Sequence, residues 1–203
     1  MGGFPILTVM TFLPLVGALL VMLVRSATTG GRQGSGAAES GKTVLLAGVI
    51  ISAATFVASV AAFVSFDRGQ AGYQLVEQYA WYGPISFKLG VDGLSLSLVL
   101  LTTFLTPICL LASWNSIEKR VTEYVIAFLV LETFMIGVFV SLDLVLFYIF
   151  FEAGLIPMFL IVGIWGGKDR VYAAFKFFLY TLIGSLLMLI AMVYMIIAAG
   201  SAN

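Results

Sequence analysis

The sequence has no histidine, one cysteine and few charges. Without histidine, haem has no imidazole to hold it, and without a cysteine cluster no iron–sulfur centre can be ligated. Cys109 stands alone inside an apolar run, so a disulfide within the chain is impossible. No zinc-ligand spacing occurs. No glycine-rich phosphate loop joins a strand to a helix. If the protein serves a redox system, the electrons travel through other chains. Charged residues make up 10% of the 203, against about 25% in soluble domains. Ten basic and ten acidic residues cancel, which leaves no electrostatic footprint for nucleic acid.

What is present is apolar length. Hydrophobic residues reach 62%, and a bilayer core about 30 Å thick needs roughly 20 of them in a helix. Six runs meet that need, at 4–24, 44–66, 94–112, 124–140, 142–164 and 171–198. The chain therefore reads as one all-α, polytopic membrane domain over 1–203. No basic residue precedes the first run, which is also longer than a signal peptide core, so it reads as an uncleaved first helix. Residues 25–43 are rich in Gly and Ser and predict a flexible connector. Residues 73–91 differ from the rest. Two β-prone halves flank Gly83-Pro84, which predicts a short external hairpin. The other reading there is an irregular loop whose Trp81, Tyr82 and Phe87 rest at the membrane interface.

Basic residues are unevenly shared between the two sides. Arg25, Arg32, Lys42, Lys119, Arg120, Lys168 and Arg170 fall on one side, and only Arg68 and Lys88 on the other. The positive-inside rule places the seven in the cytoplasm and the N-terminus outside.

The stretch LDLVLFYIFFEAGLIPMFLIVG, 142–163, carries one charge deep in its middle, Glu152. A carboxylate at that depth costs at least a few kcal/mol, so it should face protein or water. Pro157 follows and cannot donate to the carbonyl of Ala153, which weakens the helix beside the acid. A midplane acid next to a helix defect suits a proton or ion relay; the plainer reading is an acid that ties helices together. Glu132 lies at similar depth on the preceding span and is a second relay candidate. Otherwise it bonds to Thr133 or to a backbone carbonyl. Asp143 sits in the tight connection between these spans and suits a helix cap. Lys176, near the start of the last span, either snorkels to the interface or turns inward to tune a carboxylate.

FMIGVFVSLDLVLFYIFFEAGLIPMFLIVGIWGG, with LGVDGLSLSLVLLTTFLTPICLLASW before it and KFFLYTLIGSLLMLIA after, resembles the antiporter-like subunits of proton-pumping NADH:quinone oxidoreductase, respiratory complex I. The M-type, or chain 4, members are the most similar. The resemblance runs from Leu89 onward. It implies a proton-translocating module of a bacterial inner membrane, in which Glu152 matches the family's fifth-helix glutamate. Lys176 matches a sixth-helix lysine and Asp143 a recurrent aspartate, while Glu132 rests on its depth alone. It also implies neighbouring antiporter-like membrane subunits as partners. No cofactor is expected in this chain; flavin, iron–sulfur clusters and quinone belong to other subunits. Related readings are a subunit of a cation/proton antiporter or of a membrane-bound hydrogenase. A third is a structural piece without a complete channel. Family members are longer and built as two inverted repeats. The sequence stops after six spans, without the seventh-helix lysine, and so is expected to be an N-terminal portion, a split product or a piece completed by another chain.

Overall fold

The computed structural model describes residues 5–29, 37–67, 69–70, 72–82 and 85–199. Within them lie six helices: α1 Ile6–Thr29, α2 Ala37–Val64, α3 Gly93–Ala112, α4 Val121–Val140, α5 Leu144–Trp165 and α6 Arg170–Ala199. Each is long and apolar enough to cross a membrane. Strands β1 Gln74–Tyr82 and β2 Ile85–Val91 pair antiparallel between α2 and α3, so the hairpin is present and the irregular loop is not. Its Gly83-Pro84 turn and the side chains of Trp81 and Tyr82 lie outside the described residues, as do Arg32 and Arg68.

The expected flexible connector over 25–43 is corrected at both ends. Helix α1 continues through Thr29 and α2 begins at Ala37. A nucleated helix gains one hydrogen bond per added residue, and Arg25 is held at 3.3 Å by Glu123. Residues 30–36 lie outside the described residues. Helix α5 starts at Leu144 rather than 142, because Leu142 N–H donates to the Lys88 carbonyl and Ser141 bridges to Leu89. The connection is thus pulled into extended pairing with β2.

The sequence singled out 142–163, yet the central helix is α4. It touches α1, α2, α3 and α5, whereas among the described elements α6 packs on α5 alone. Lipid tails are as apolar as leucine, so packing rather than hydrophobicity holds such helices together. Gly137 shows how: a β-carbon there would fall on the ring of Phe150, and its absence lets α5 lie close.

Two apolar clusters result. One lies beneath the hairpin and includes Leu7, Met10, Leu89, Leu96, Ile136 and Phe150. The other lies toward the opposite end and includes Ala18, Leu45, Leu110, Val125 and Leu129. The described basic residues Arg25, Lys42, Lys119, Arg120, Lys168 and Arg170 all sit at that opposite end.

Candidate functional site

Depth is set at the hairpin end. Asp143 is almost fully buried and caps α5, accepting the N–H of Val145 at 2.9 Å and of Leu146 at 3.1 Å. Its second oxygen accepts Ser86 N–H from β2 at 3.2 Å. One carboxylate therefore fixes the first turn of α5 and ties it to the hairpin. Glu152 follows eight residues after Leu144, and Glu132 lies eight residues before Val140. At about 1.5 Å per residue, each acid sits about 12 Å in from the same end. The two helices pack side by side, so both carboxyls occupy one level.

Neither is satisfied. Glu132 is 1% exposed, and both of its carboxylate oxygens are buried without a hydrogen-bond partner among the described residues. Glu152 is partly buried, and its Oε2 is likewise unpartnered. The hydroxyl expected beside Glu132 is engaged elsewhere, since Thr133 donates to the Leu129 carbonyl. More than nine in ten buried polar groups find a partner, so each exception calls for an explanation.

The level is polar beyond these two acids. Between the apolar clusters lie Thr11 on α1, Ser52, Thr55 and Ser59 on α2, and Thr102, Thr103 and Thr106 on α3, all buried. Spacing of three and four residues puts the α2 hydroxyls on one face. Each hydroxyl lies within bonding distance of a carbonyl of its own helix. Across the α2–α3 seam Ser59 and Thr103 lie 2.8 Å apart, so one of them gives its proton to the other rather than to its own helix. Apart from that pair, the hydroxyl oxygens keep lone pairs that can accept. A band of hydroxyls with an unpaired carboxyl on the central helix is a setting that can hold and pass a proton.

Lys176 is not brought to this level. It is exposed, and its Nζ lies 5.7 Å from the centre of the Tyr172 ring one turn earlier. Among the described residues, ion pairs join only Arg25 and Arg120 to Glu123, at the basic end. Pro157 is buried, and α5 runs through it without interruption.

The sequence reading missed three features. Glu77 of β1 accepts the N–H groups of Leu7 at 2.8 Å and Thr8 at 3.0 Å, as well as the Thr8 hydroxyl, and so caps α1 from outside. A bulge between Gln74 and Glu77 precedes it, with Leu75 at φ 53°. No local signal marks this residue. Asp92 caps α3 in a reciprocal box with Ser95; an acid three residues before a serine at the head of an apolar run would have revealed it. The hydroxyl band was the third. The Ser95 N–H first, then its hydroxyl, hold the Asp92 carboxyl below the usual aspartate value.

Two family models match the chain, meeting at the α4–α5 connection. "NADH-ubiquinone oxidoreductase chain 4, amino terminus" matches residues 43–142, and "NADH:quinone oxidoreductase/Mrp antiporter, TM" matches 141–203. Subunit M of NADH-quinone oxidoreductase from Rhodobacter capsulatus is 52% identical over 98% of this chain and 37% of its own length. Chain 4 of NADH-ubiquinone oxidoreductase from Arabidopsis thaliana is 47% identical over 80% of this chain and 33% of its own. The chain thus spans about a third of the length of these relatives. Among solved structures, respiratory complex I from Thermus thermophilus contains a similar chain, with TM-score 0.76 and 26% identity over 97% of this chain and 37% of that one. An archaeal membrane-bound sulfane sulfur reductase gives TM-score 0.79 at 19% identity, over 98% of this chain and 39% of that one, a likeness of fold alone.

Proposed function

The chain belongs to the family of M-type (chain 4) antiporter-like membrane subunits of NADH:quinone oxidoreductase, and on that premise we propose that it relays protons through Glu152, with Glu132 as a second station. One observation carries this: two carboxyls stand at one depth on packed neighbouring helices, and three of their oxygens are buried without a partner. An apolar residue would fit such a place at less cost. The hydroxyl band beside Glu132 supplies acceptors along which water can order.

In the relay, Glu152 takes a proton from one side, holds it while charges on neighbouring subunits shift, and releases it toward Glu132 and the hydroxyl band. Oxidation of NADH and reduction of quinone proceed in other subunits, which carry the flavin and iron–sulfur clusters. Neighbouring antiporter-like subunits complete the path. Lys176 is assigned an interfacial role, with its ammonium over the Tyr172 ring. The protein spans a bacterial inner membrane, with its basic end in the cytoplasm and its hairpin end and N-terminus outside.

The test is Glu152→Gln in the assembled enzyme. The amide keeps the shape and cannot carry the proton, so pumping is expected to fall by about 10²-fold, the usual scale for a lost proton-transfer group, with the amount of assembled enzyme unchanged. Pumping at the wild-type rate sinks the relay.

A second reading is favoured by the breadth of the model over 141–203, which also describes Mrp antiporters. Sodium-dependent proton exchange without NADH oxidation, in membranes holding the protein, would decide for it.

A further inference from the structure

At the basic end, a cavity of about 350 Å³ opens between the start of α2 and the α3–α4 connection. It falls in the size range of ligand pockets, roughly 300–1,000 Å³. Lys42, Trp114, Asn115 and Glu118 line its polar part, and Leu45 and Val121 its apolar part. Its level is that of the membrane boundary, since Gly41 and Val121 open the apolar spans of α2 and α4 and Ala112 closes that of α3. Gly41 and Val121 face each other across its wall, where a β-carbon on Gly41 would make only ordinary contact, 3.5 Å, with the Val121 side chain.

Its charges stand apart. Lys42 and Glu118 line the same space, and among the described residues neither takes part in an ion pair. At this end Arg25 and Arg120 both turn to Glu123 instead. A cation and a carboxylate that share a cavity without meeting leave room for a molecule carrying both complementary charges. We propose that this cavity binds the headgroup of a zwitterionic phospholipid with a primary amine, phosphatidylethanolamine in chemical terms. The phosphate oxygens accept from Lys42 Nζ, and the ammonium donates to the Glu118 carboxylate, both charge-assisted bonds. Trp114 suits the headgroup level with its apolar body and single N–H. Exposed Leu46 and Ile50 on α2, and Ile108 and Leu111 on α3, offer apolar surface for the acyl chains. An anionic glycerol headgroup lacks a cation for Glu118, and a choline lacks an N–H to donate.

This site is independent of the proton relay, and its test reads lipid rather than transport. The protein is purified and delipidated in mild detergent. Native mass spectrometry then follows titration with phosphatidylethanolamine, phosphatidylglycerol or phosphatidylcholine. The expected result is at least about tenfold tighter retention of phosphatidylethanolamine, lost about tenfold in both Lys42→Gln and Glu118→Gln, one charge-assisted bond each. Both side chains are exposed, so unchanged melting of the variants serves as the folding control. Equal retention of the glycerol lipid, with only Lys42→Gln weakening it, overturns the proposal in favour of a phosphate site. Displacement by millimolar inorganic phosphate, or retention unchanged in both variants, overturns it as well.

Discussion

The hairpin end and the middle of the bundle use the same chemical group in opposite ways. At the hairpin end, Glu77, Asp92 and Asp143 each accept backbone N–H groups at the start of a helix: α1, α3 and α5. The free N–H groups and the helix dipole both favour a negative charge there. Twelve or so ångströms deeper, Glu132 and Glu152 have buried oxygens that nothing satisfies. The first set fixes where the helices begin, and through Asp143 it fixes the depth of Glu152. The second set is costly and makes no structural bond, which is what a group reserved for changing its protonation should look like.

The sharpest way to break this contrast is one substitution type made in both places. Glu152→Gln is expected to lower pumping by about 10²-fold. Asp143→Asn keeps an amide oxygen for Val145 and Leu146 and gives up only the bond to Ser86. Its pumping should stay within about twofold, because asparagine caps a helix nearly as well as aspartate. Equal losses in the two variants would erase the distinction.

Stability should then separate the regions with opposite signs. Asp143→Ala strips three buried or half-buried N–H groups of their acceptor and should cost about 3 kcal/mol. Glu132→Leu replaces unpartnered oxygens with methyl groups and should be neutral or stabilising, since an unsatisfied buried polar group costs about 1–3 kcal/mol. Unfolding of the two variants in the same detergent reads both. A destabilised Glu132→Leu would reveal a structural bond at that carboxyl.

How much of this was legible follows the range of each interaction. Six apolar runs announced six helices, because crossing a bilayer fixes their length. Glu152 and Glu132 announced themselves by depth, and Asp143 by its place before an apolar run. Which helix lies at the centre was hidden, because α4 is apolar all round and lipid offers no contrast by which to read its buried face. The hydroxyls of α2 could be placed on one face, but what that face meets is a tertiary fact. Glu77 was hidden most deeply, since its partners stand seventy residues away at Leu7 and sixty-nine at Thr8.

That distance makes Glu77 a moderate test of the hairpin as a clamp. Glu77→Ala frees two N–H groups and one hydroxyl at the head of α1, and should cost about 1 kcal/mol, the usual worth of a cap. Hydrogen exchange at the Leu7 and Thr8 amides should quicken while that of α4 holds. If α4 amides quicken equally, the hairpin is not a local clamp but part of the whole bundle's cooperativity.

The smallest effect belongs to Asp92, and its sign is fixed by its bonds. Ser95 N–H donates to the Asp92 carboxylate at 2.7 Å, and the folded value lies below the ordinary 3.8. A carboxyl depressed by folding contributes stability above its unfolded value and loses it as pH falls through the folded value. Helix α3 should therefore keep its cap at neutral pH and through mild acid, and fray at its first turn only below the range where a free aspartate protonates. Asp92 is only partly buried, so solvent screening keeps the change small. Following the Ser95 amide by NMR against pH reads the midpoint directly, and Ser95→Ala should move the Asp92 carboxyl back toward 3.8. A midpoint at or above that value in the unaltered chain would mean the box is open in solution. Of the three acid caps at the hairpin end, only Glu77 and Asp143 would then remain.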